Sequence, residues 1–250
     1  MKSLIKKMFD TVGMEVRLKR NVAEAQRRQK REAVVRQWAL LHRYRPNAIL
    51  DIGANEGQSA ILLRELFPQV AIYSFEPLAD CYEKVADFLR NNGPGKAFHC
   101  ALGDSNGRTA IHRSQFSPSS SLLPMNTLHQ QEFPKTAESW TEEVAVERLD
   151  EIAVSLDLME PLVIKVDVQG FEEPVIRGGA ETFRRASAIV IELTSYPLYE
   201  FQSTFETVQD QLQTLGFVFR GVIDQMHSPN DGRILQFDAL FENNVTASSD

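Results

Sequence analysis

A lysine and an aspartate interrupt an apolar run that the sequence predicts to be a buried strand. In residues 162–168 the side chains of Lys165 and Asp167 are two positions apart, so both point to one face of the strand. A central parallel strand is normally apolar on both faces, and burying a charge is costly unless the charge is paired. Asp167 also lies at the carboxyl end of the run, where open α/β sheets bind their ligands. The pattern indicates either catalytic groups or a structural ion pair.

Two glutamates are predicted to lie close to this pair. Glu172 enters the first turn of the following helix, where a carboxylate can simply compensate the helix dipole and contribute about 0.3–1 kcal/mol. Glu192 ends the neighbouring predicted strand, which places it about 4.8 Å, one strand spacing, from Asp167. Two carboxylates at that separation can share a proton or hold a substrate hydroxyl. We therefore predict Asp167, Glu172, Lys165 and Glu192 as the catalytic residues.

The sequence does not require a metal. The five histidines are scattered without ligand spacing, and Cys81 and Cys100 form neither a metal nor a disulfide framework, which suits a reducing compartment. One alternative stays open, a Mg²⁺ ion held by the carboxylates of Asp167 and Glu192.

A tight turn between a predicted strand and a predicted helix carries a nucleotide-type motif. The apolar run that ends at Ile52 leads into Gly53, Asn55 and Gly57, and an amphipathic stretch follows. A dinucleotide fingerprint that starts at Gly53 would need glycines at 55 and 58, where this chain has Asn55 and Gln58. Asparagine is the non-glycine residue that best tolerates a positive φ, so the turn can still be tight. The pattern favours S-adenosylmethionine over NAD, because S-adenosylmethionine has no phosphates.

An acidic residue follows at the spacing expected of a ribose ligand. Residues 70–75 form an apolar, β-branched and aromatic run that ends in Glu76 and Pro77, and Glu76 lies 23 residues after Gly53. A carboxylate at the end of the second strand, about 20 residues past the glycine turn, can accept both ribose hydroxyls. The alternative is a surface glutamate at a strand end, but the spacing to the turn favours the ribose ligand.

An α/β framework would bring these residues together. The predicted strands cover residues 48–52, 70–75, 97–102, 108–113, 143–147, 162–168, 188–193, 217–223 and 234–241, and the predicted helices residues 60–66, 78–91, 150–158, 171–184 and 205–215. The side chains near the end of residues 97–102 would face the adenine. Residues 114–140 are rich in serine and proline and lack periodicity, and a connection this long is usually a lid or a binding loop.

Taken in order, these motifs resemble the FkbM family of S-adenosylmethionine-dependent methyltransferases. The matching stretches are Leu50 to Gln58, Phe75 to Pro77, Ala101 to Gly103, Ser119 to Leu122, Lys165 to Glu172, and Glu192, and they span about residues 46–242. The resemblance implies a seven-stranded, Rossmann-like class I methyltransferase sheet, mostly parallel with an antiparallel last strand. It also implies O-methylation of a sugar, polyketide or other secondary-metabolite hydroxyl. With the glycine turn and Glu76, it predicts the cofactor-binding residues, which are Asp51, Gly53, Ala54, Asn55, Gly57, Gln58, Glu76, Pro77, Ala101, Leu102, Ser120 and Asp167.

An uneven charge distribution predicts a separate N-terminal segment. Residues 1–45 hold 13 Lys and Arg against 4 Asp and Glu, whereas the other 205 residues hold 14 against 30. We predict a basic helical extension over residues 1–45, the methyltransferase domain over residues 46–242 and a flexible tail over residues 243–250. No apolar run reaches the roughly 18 residues of a membrane span, and no secretory signal is present. The predicted location is cytoplasmic, or peripheral at the inner membrane surface.

The composition of the basic segment allows three kinds of partner. In residues 1–20 the apolar side chains fall on one helical face and lysines elsewhere, as in a helix that lies on an anionic membrane. Residues 21–45 combine an arginine-rich run with apolar side chains, which indicates packing on the domain or a homodimer contact. Nucleic-acid binding gets little support, because no aromatic residues are interleaved with the arginines.

The predicted function is S-adenosylmethionine-dependent O-methylation of a hydroxyl on a sugar, a glycan or a secondary metabolite. Two alternatives remain, an N-methyltransferase acting on a small molecule and a non-catalytic, cofactor-binding partner module. The intact acidic groups at positions 167, 172 and 192 argue against the module. Acceptor specificity should lie in residues 114–140, which have no readable code.

Overall fold

The main sheet has seven strands in the computed structural model, which describes residues 19–136 and 138–244. The strands are β1 (Ala48–Ile52), β2 (Ala71–Phe75), β3 (Gly95–Phe98), β4 (Ala101–Leu102), β5 (Gly107–Ser114), β6 (Ser139–Glu147), β7 (Leu162–Val166), β8 (Ala186–Thr194), β9 (Phe217–His227) and β10 (Ile234–Asn243). The order across the main sheet is β3-β2-β1-β7-β8-β10-β9, and β10 runs antiparallel to both of its neighbours whereas the first five strands pair in parallel. This arrangement confirms the predicted fold class.

A second, three-stranded sheet has the order β4-β6-β5. The predicted strands over residues 108–113 and 143–147 are confirmed as parts of β5 and β6, which pair antiparallel in this second sheet. The predicted third strand over residues 97–102 is wrong in its extent, because the chain leaves the main sheet after Phe98. The amide of Glu76 donates to the carbonyl of Phe98, and from Ala101 onward the pairing partner is β6.

Eight α-helices alternate with these strands in the described residues. They are α1 (Lys19–Trp38), α2 (Gln58–Leu66), α3 (Ala79–Asn91), α4 (Thr127–Glu132), α5 (Leu149–Ala153), α6 (Glu172–Gly178), α7 (Ala180–Arg184) and α8 (Phe205–Thr214). The single helix predicted over residues 171–184 is two helices, because the chain breaks at Gly179. The preceding Gly178 lies so close to the second sheet that a Cβ there would be 1.8 Å from the Gly103 carbonyl oxygen.

The centre of the core contains the two strands that carry the predicted motifs. Every residue of β1 and of β7 is buried, as expected for strands with neighbours on both sides and packing on both faces. Asp51 and Lys165 are the only charged residues in these two strands, and they lie opposite each other in the β1–β7 register. The carboxyl ends of β1, β7 and β8 are therefore adjacent, and the site can form at this edge.

The chain divides into two compact units, with the boundary between Leu40 and Leu41. In the N-terminal unit the structure describes α1, whose residues 24–33 are exposed. The helix predicted over residues 1–20 lies almost entirely outside the described residues, as does most of the tail. Over the described part of the chain, no helix combines the length and the apolarity that a bilayer span requires. The domain bounds at 45 and 242 stay a prediction.

Candidate active site

The glycine turn between β1 and α2 depends on three residues in the left-handed region. The backbone φ is 79° at Gly53, 47° at Asn55 and 90° at Gly57, so asparagine does occupy a positive-φ position. The amides of Gly53 and Ala54 donate to the carbonyl of Phe75 at 3.0 and 3.1 Å, which ties the turn to the end of β2. A Cβ on Gly53 would lie 1.8 Å from the carbonyl oxygen of Asp167. The turn therefore passes directly against the motif that follows β7.

Glu76 orients its carboxylate through two backbone amides. Its Oε2 accepts from the amide of Asn55 and its Oε1 from that of Leu78, both at 2.8 Å. Burial raises the pKa of Glu76 to about 7, although the two backbone hydrogen bonds oppose the shift. An ionised carboxylate has about four acceptor positions, so two remain after these bonds. Glu76, the residue predicted to bind the ribose, therefore has its carboxylate fixed beside the glycine turn.

Asp51 lies behind the turn. It is fully buried, and its oxygens accept from the hydroxyls of Ser59 at 2.7 Å and Ser74 at 3.0 Å. Burial raises its pKa, whereas Lys165 and the two serines lower it. These contacts give Asp51 the role of fixing β1, α2 and β2 around the turn.

Lys165 and Asp167 form the predicted pair on one face. The Lys165 ammonium lies 3.2 Å from Asp167 Oδ2 and 4.0 Å from Asp51 Oδ1. Burial lowers the pKa of Lys165, but the surrounding carboxylates, Asp167 first, outweigh burial and raise the pKa above its ordinary value. The Asp167 side chain remains 29% exposed, whereas that of Lys165 is 7% exposed. Asp167 can therefore meet a ligand while its counter-charge stays buried.

Gln169 connects the carboxylates at the ends of β7 and β8 to a tyrosine in the loop after β8. Its Nε2 donates to Asp167 Oδ1 at 2.7 Å and also to Glu192, and its Oε1 accepts from the Tyr199 hydroxyl at 2.9 Å. The backbone φ of Gln169 is 53°, a conformation that non-glycine residues adopt rarely and mostly at functional sites. A single side chain thus fixes both carboxylates and a tyrosine.

Glu192 lies beside Asp167, as the strand spacing predicted. Its Oε2 also accepts from Gln236 Nε2 at 2.8 Å, and Gln169 Nε2 donates to both its carboxyl and that of Asp167. Burial and then the charge of Asp167 raise the pKa of Glu192 well above its ordinary value. Asp238, opposite Glu192 in the β8–β10 register, has its pKa raised to about 7 by burial. The Gln169 amide therefore holds the carboxyls of Asp167 and Glu192 beside each other.

Glu172 serves the backbone of the motif. Its Oε1 accepts from the Gly170 amide at 2.9 Å, and its side chain is almost fully buried. Burial raises its pKa to about 7. The structure therefore brings Glu172 to the same loop as Asp167 but directs its carboxylate to the turn before α6.

Residues 114–140, called the lid below, contact both the glycine turn and the motif that follows β7. Ser117 donates to Asn55 Oδ1 at 3.0 Å and Ser121 donates to the Gln169 carbonyl at 2.7 Å. Ser120, predicted to bind cofactor, uses its hydroxyl to accept from the Ser114 amide. The hydroxyl of Tyr199, from the β8 loop (residues 195–202), also lies 3.0 Å from the carbonyl oxygen of Ser119, so its one proton is shared between this oxygen and Gln169 Oε1. The lid thus bridges the glycine turn and the loop after β8.

Within the described residues, no group of three or more His, Cys, Asp or Glu side chains is placed to hold a metal ion. Ala101 and Leu102 are buried in β4, beside the end of β3.

Comparison with known proteins decides the family. Residues 51–219 match the model of the methyltransferase FkbM domain, which is more than half of the chain. The chain belongs to the FkbM methyltransferase family.

Two proteins with similar sequences are also methyltransferases. The chain is 31% identical over 182 residues to the 2-O-methyltransferase NoeI of Sinorhizobium fredii, covering 68% of this chain and 72% of that protein. It is 27% identical over 155 residues to the methyltransferase sdnD of Sordaria araneosa, covering 52% and 59%. Among solved structures, magnesium protoporphyrin IX methyltransferase from Synechocystis PCC 6803 is 10% identical with a TM-score of 0.47, covering 97% and 96%.

Family membership confirms the predicted enzyme class and cofactor. The protein is a methyltransferase that uses S-adenosylmethionine, and its residues fit that molecule. Gly53 lets the turn pass against the Asp167 carbonyl, where a Cβ would be 1.8 Å from that oxygen, and Glu76 holds an oriented carboxylate at the end of β2. The individual cofactor-binding and catalytic residues stay predictions.

Four residues of the polar network were not predicted as site residues. Gln169 lies within the motif from Lys165 to Glu172, but nothing in the sequence indicates that its backbone φ is positive. Tyr199, Gln236 and Asp238 lie in segments without motif spacing, and they reach the site through the β8 loop and β10. The even spacing of Gln236 and Asp238 in a predicted strand was the one available signal.

Proposed function

We propose that this FkbM methyltransferase transfers a methyl group from S-adenosylmethionine to a hydroxyl oxygen of a small molecule or glycan, and that Asp167 accepts the hydroxyl proton. The supporting observation is the position of Asp167, which is partly exposed at the carboxyl end of β7 and directly beside the glycine turn. An alcohol is a poor nucleophile until its proton is withdrawn, whereas a neutral amine is not, so an adjacent carboxylate favours oxygen as the acceptor. The 2-O-methyltransferase relative supports the same choice.

The proposed mechanism assigns one task to each group. When bound, S-adenosylmethionine supplies an electrophilic methyl group on a sulfonium. Asp167 takes the acceptor proton as the O–CH₃ bond forms, so the products are a methyl ether, the neutral thioether and a protonated carboxyl. Lys165 balances the charge of Asp167 before transfer, and Gln169 fixes its orientation. Alignment contributes most, since effective molarities reach about 10⁵–10⁸ M, and the base adds about 10²–10⁴-fold.

One experiment separates this function from its alternatives. The full-length protein is incubated with methyl-labelled S-adenosylmethionine and a set of sugars, phenols, aliphatic alcohols and amines. Label in an ether product supports the proposal, and label only in amines supports an N-methyltransferase. Cofactor binding without transfer to any of these compounds would overturn the proposal in favour of a non-catalytic module.

Cofactor binding should depend on Glu76. S-adenosylmethionine or S-adenosylhomocysteine is expected to raise the melting temperature of the protein, and NAD is not. Glu76→Ala should weaken cofactor binding by roughly 1–3 kcal/mol in calorimetry, because charge-assisted hydrogen bonds to the ribose are lost. Glu56 is the matched control, since it lies in the same turn but pairs with Lys84. Equal losses in Glu56→Ala and Glu76→Ala would remove Glu76 from the site.

The same carboxyl should make cofactor affinity depend on pH. Burial raises the pKa of Glu76 to about 7, so the group carries a proton below that pH and accepts hydroxyl hydrogen bonds best above it. The affinity of wild type should therefore rise as the pH increases toward about 7, by up to about tenfold per pH unit, and then level off. The affinity of Glu76→Ala should lack this dependence, and an equal slope in both proteins would contradict the assignment.

The raised pKa of Glu76 has the opposite consequence for the folding stability of the protein without ligand. Its free energy of unfolding should fall as the pH rises from about 4.5 through about 7.

We also propose that residues 1–20 contact anionic membrane surfaces and that residues 21–45 mediate self-association. The support is the net positive charge of the segment and its apolar helical periodicity. Deleting residues 1–20 should leave cofactor affinity unchanged, because the predicted cofactor residues begin at Asp51, and should reduce sedimentation with anionic vesicles. Equal sedimentation of both proteins would retire the membrane contact and leave packing or dimerisation.

A further inference from the structure

Exposed aromatic side chains occur in the two segments that contact Gln169. Over the described residues, four large aromatic side chains are exposed, and all four belong to the lid or to the β8 loop. They are Phe116, Trp140, Tyr196 and Phe201. Exposed apolar groups mark binding sites when they lie beside one. These side chains are therefore candidates for contact with a ligand that has apolar faces.

Phe201 is the most unusual of the four. Its exposed fraction is 95%, so it contributes almost no packing to the folded chain. Its backbone φ is 57°, in the left-handed region that is strained for an aromatic residue. Such strain persists only where the surroundings determine the conformation, and it concentrates at functional sites. Two of the other positive-φ residues, Asn55 and Gln169, belong to the site described above.

The β8 loop that carries Phe201 is pinned against the catalytic motif. Gln202 Oε1 accepts from the amides of Leu198 at 2.7 Å and Tyr199 at 2.9 Å, which closes the loop around Phe201. The Cβ of Gln202 lies only 2.8 Å from where a Cβ on Gly170 would be, so the loop touches the residue that follows Gln169. The conformation of Phe201 is therefore set by contacts to the motif on one side, while its ring faces solvent.

The catalytic motif that the β8 loop contacts carries more polar groups than a single hydroxyl needs. Asp167, Glu192, Gln236 and Tyr199 all place hydrogen-bonding atoms around the Gln169 amide. A ligand that matches both features has several hydroxyls at its edge and an apolar face. A pyranose ring has this form, because its hydroxyls project outward and its C–H bonds cover its faces, which pack on aromatic rings.

We propose that Phe201 is a specificity-determining residue that stacks on the C–H face of a pyranose ring in the acceptor, with the ring hydroxyls directed to the Asp167 cluster. This inference rests on the proposed O-methyltransferase function. It assigns acceptor recognition to the β8 loop in addition to the lid.

The test uses methyl glucopyranoside, methyl galactopyranoside and methyl mannopyranoside as probes, with tritiated S-adenosylmethionine and the full-length protein. Phe201→Ala should raise the KM for the accepted glycoside at least about tenfold with little change in kcat, and should leave S-adenosylhomocysteine affinity unchanged. Phe201→Gly should show the same KM but melt at a higher temperature than Phe201→Ala, because glycine relieves the positive φ. Val154→Ala is the control, since Val154 is 88% exposed but precedes the amino end of β7.

The outcomes distinguish the inference from the proposed function. Methylation of a pyranoside with wild-type KM in Phe201→Ala would overturn the role of Phe201 and leave O-methylation standing. Methylation of phenols or aliphatic alcohols but of no pyranoside would overturn the sugar ring and again leave O-methylation standing. Cofactor binding without methylation of any hydroxyl compound would overturn both.

Discussion

Asp167→Asn is expected to fold, to bind S-adenosylmethionine within about tenfold of wild type, and to lose at least about 10²-fold in methyl transfer, the lower range for a positioned base. The carboxylate that accepts the hydroxyl proton is replaced by an amide with little basicity. The amide also faces two donors, Lys165 Nζ and Gln169 Nε2, so one contact becomes donor against donor. The variant should therefore lose about 1–3 kcal/mol of folding stability as well. Single-turnover transfer and calorimetry measure the two effects separately.

Glu172→Gln is the comparison for this variant. Its carboxylate accepts from the Gly170 amide, so the substitution should reduce turnover less than Asp167→Asn does. If Asp167→Asn fails to fold while Glu172→Gln abolishes turnover, the roles are reversed, with Asp167 the structural ion-pair partner and Glu172 the catalytic group. A folded Asp167→Asn with near-normal turnover would leave orientation alone as the mechanism.

Gly53→Ala should abolish cofactor binding and destabilise the protein by about 2–5 kcal/mol, which combines the cost of a positive φ with that of overpacking. The added Cβ would lie 1.8 Å from the Asp167 carbonyl oxygen, so either the glycine turn or the end of β7 must move. Neither moves freely, because the Asp167 amide donates to the Ile52 carbonyl at 2.9 Å. Chemical denaturation and calorimetry with S-adenosylhomocysteine give both quantities.

Two glycines separate the causes of this effect. Gly232 has the same φ of 79° as Gly53 but open space around its Cβ position, so Gly232→Ala measures the cost of the conformation alone. Gly107 has open space and no positive φ, so Gly107→Ala should be nearly neutral. A Gly53→Ala variant no less stable than Gly232→Ala would show that the close approach to Asp167 is absent in solution.

The central strands could be predicted because their sequence leaves few choices. Apart from Asp51 and Lys165, the runs that end at Ile52 and Val166 are apolar without alternation, which is the signature of strands buried on both faces. The glycine turn and Glu76 followed from spacing, and the pairing of Lys165 with Asp167 followed from parity along a strand. Each of these inferences uses contacts that are local in sequence.

The errors and omissions concern contacts between distant segments. Residues 97–102 have the composition of one strand, but hydrogen bonding to β6 takes Ala101 and Leu102 into the second sheet. The helix break at Gly179 accompanies a close approach to Gly103, about 75 residues away, which helix propensity does not encode. Tyr199 reaches Gln169 because the β8 loop packs against the motif after β7, and Gln236 reaches it because β10 pairs with β8.

The lid shows the same limit. Its serine-rich composition predicted a binding segment but not its partners, which are Asn55 on the cofactor side and Gln169 on the catalytic side. These two contacts hold the lid against both the glycine turn and the motif that follows β7.

The most direct test of the account is the position and the rate of methyl transfer with ¹³C-methyl-labelled S-adenosylmethionine. Wild type and Asp167→Asn are given the same accepted glycoside, and the product is examined by NMR correlation between the labelled methyl and the atom that carries it. The account predicts a methyl ether at a hydroxyl oxygen of the sugar, formed at least about 10²-fold more slowly by Asp167→Asn at saturating cofactor. A methyl group on nitrogen or carbon, or equal rates from both proteins, would contradict it.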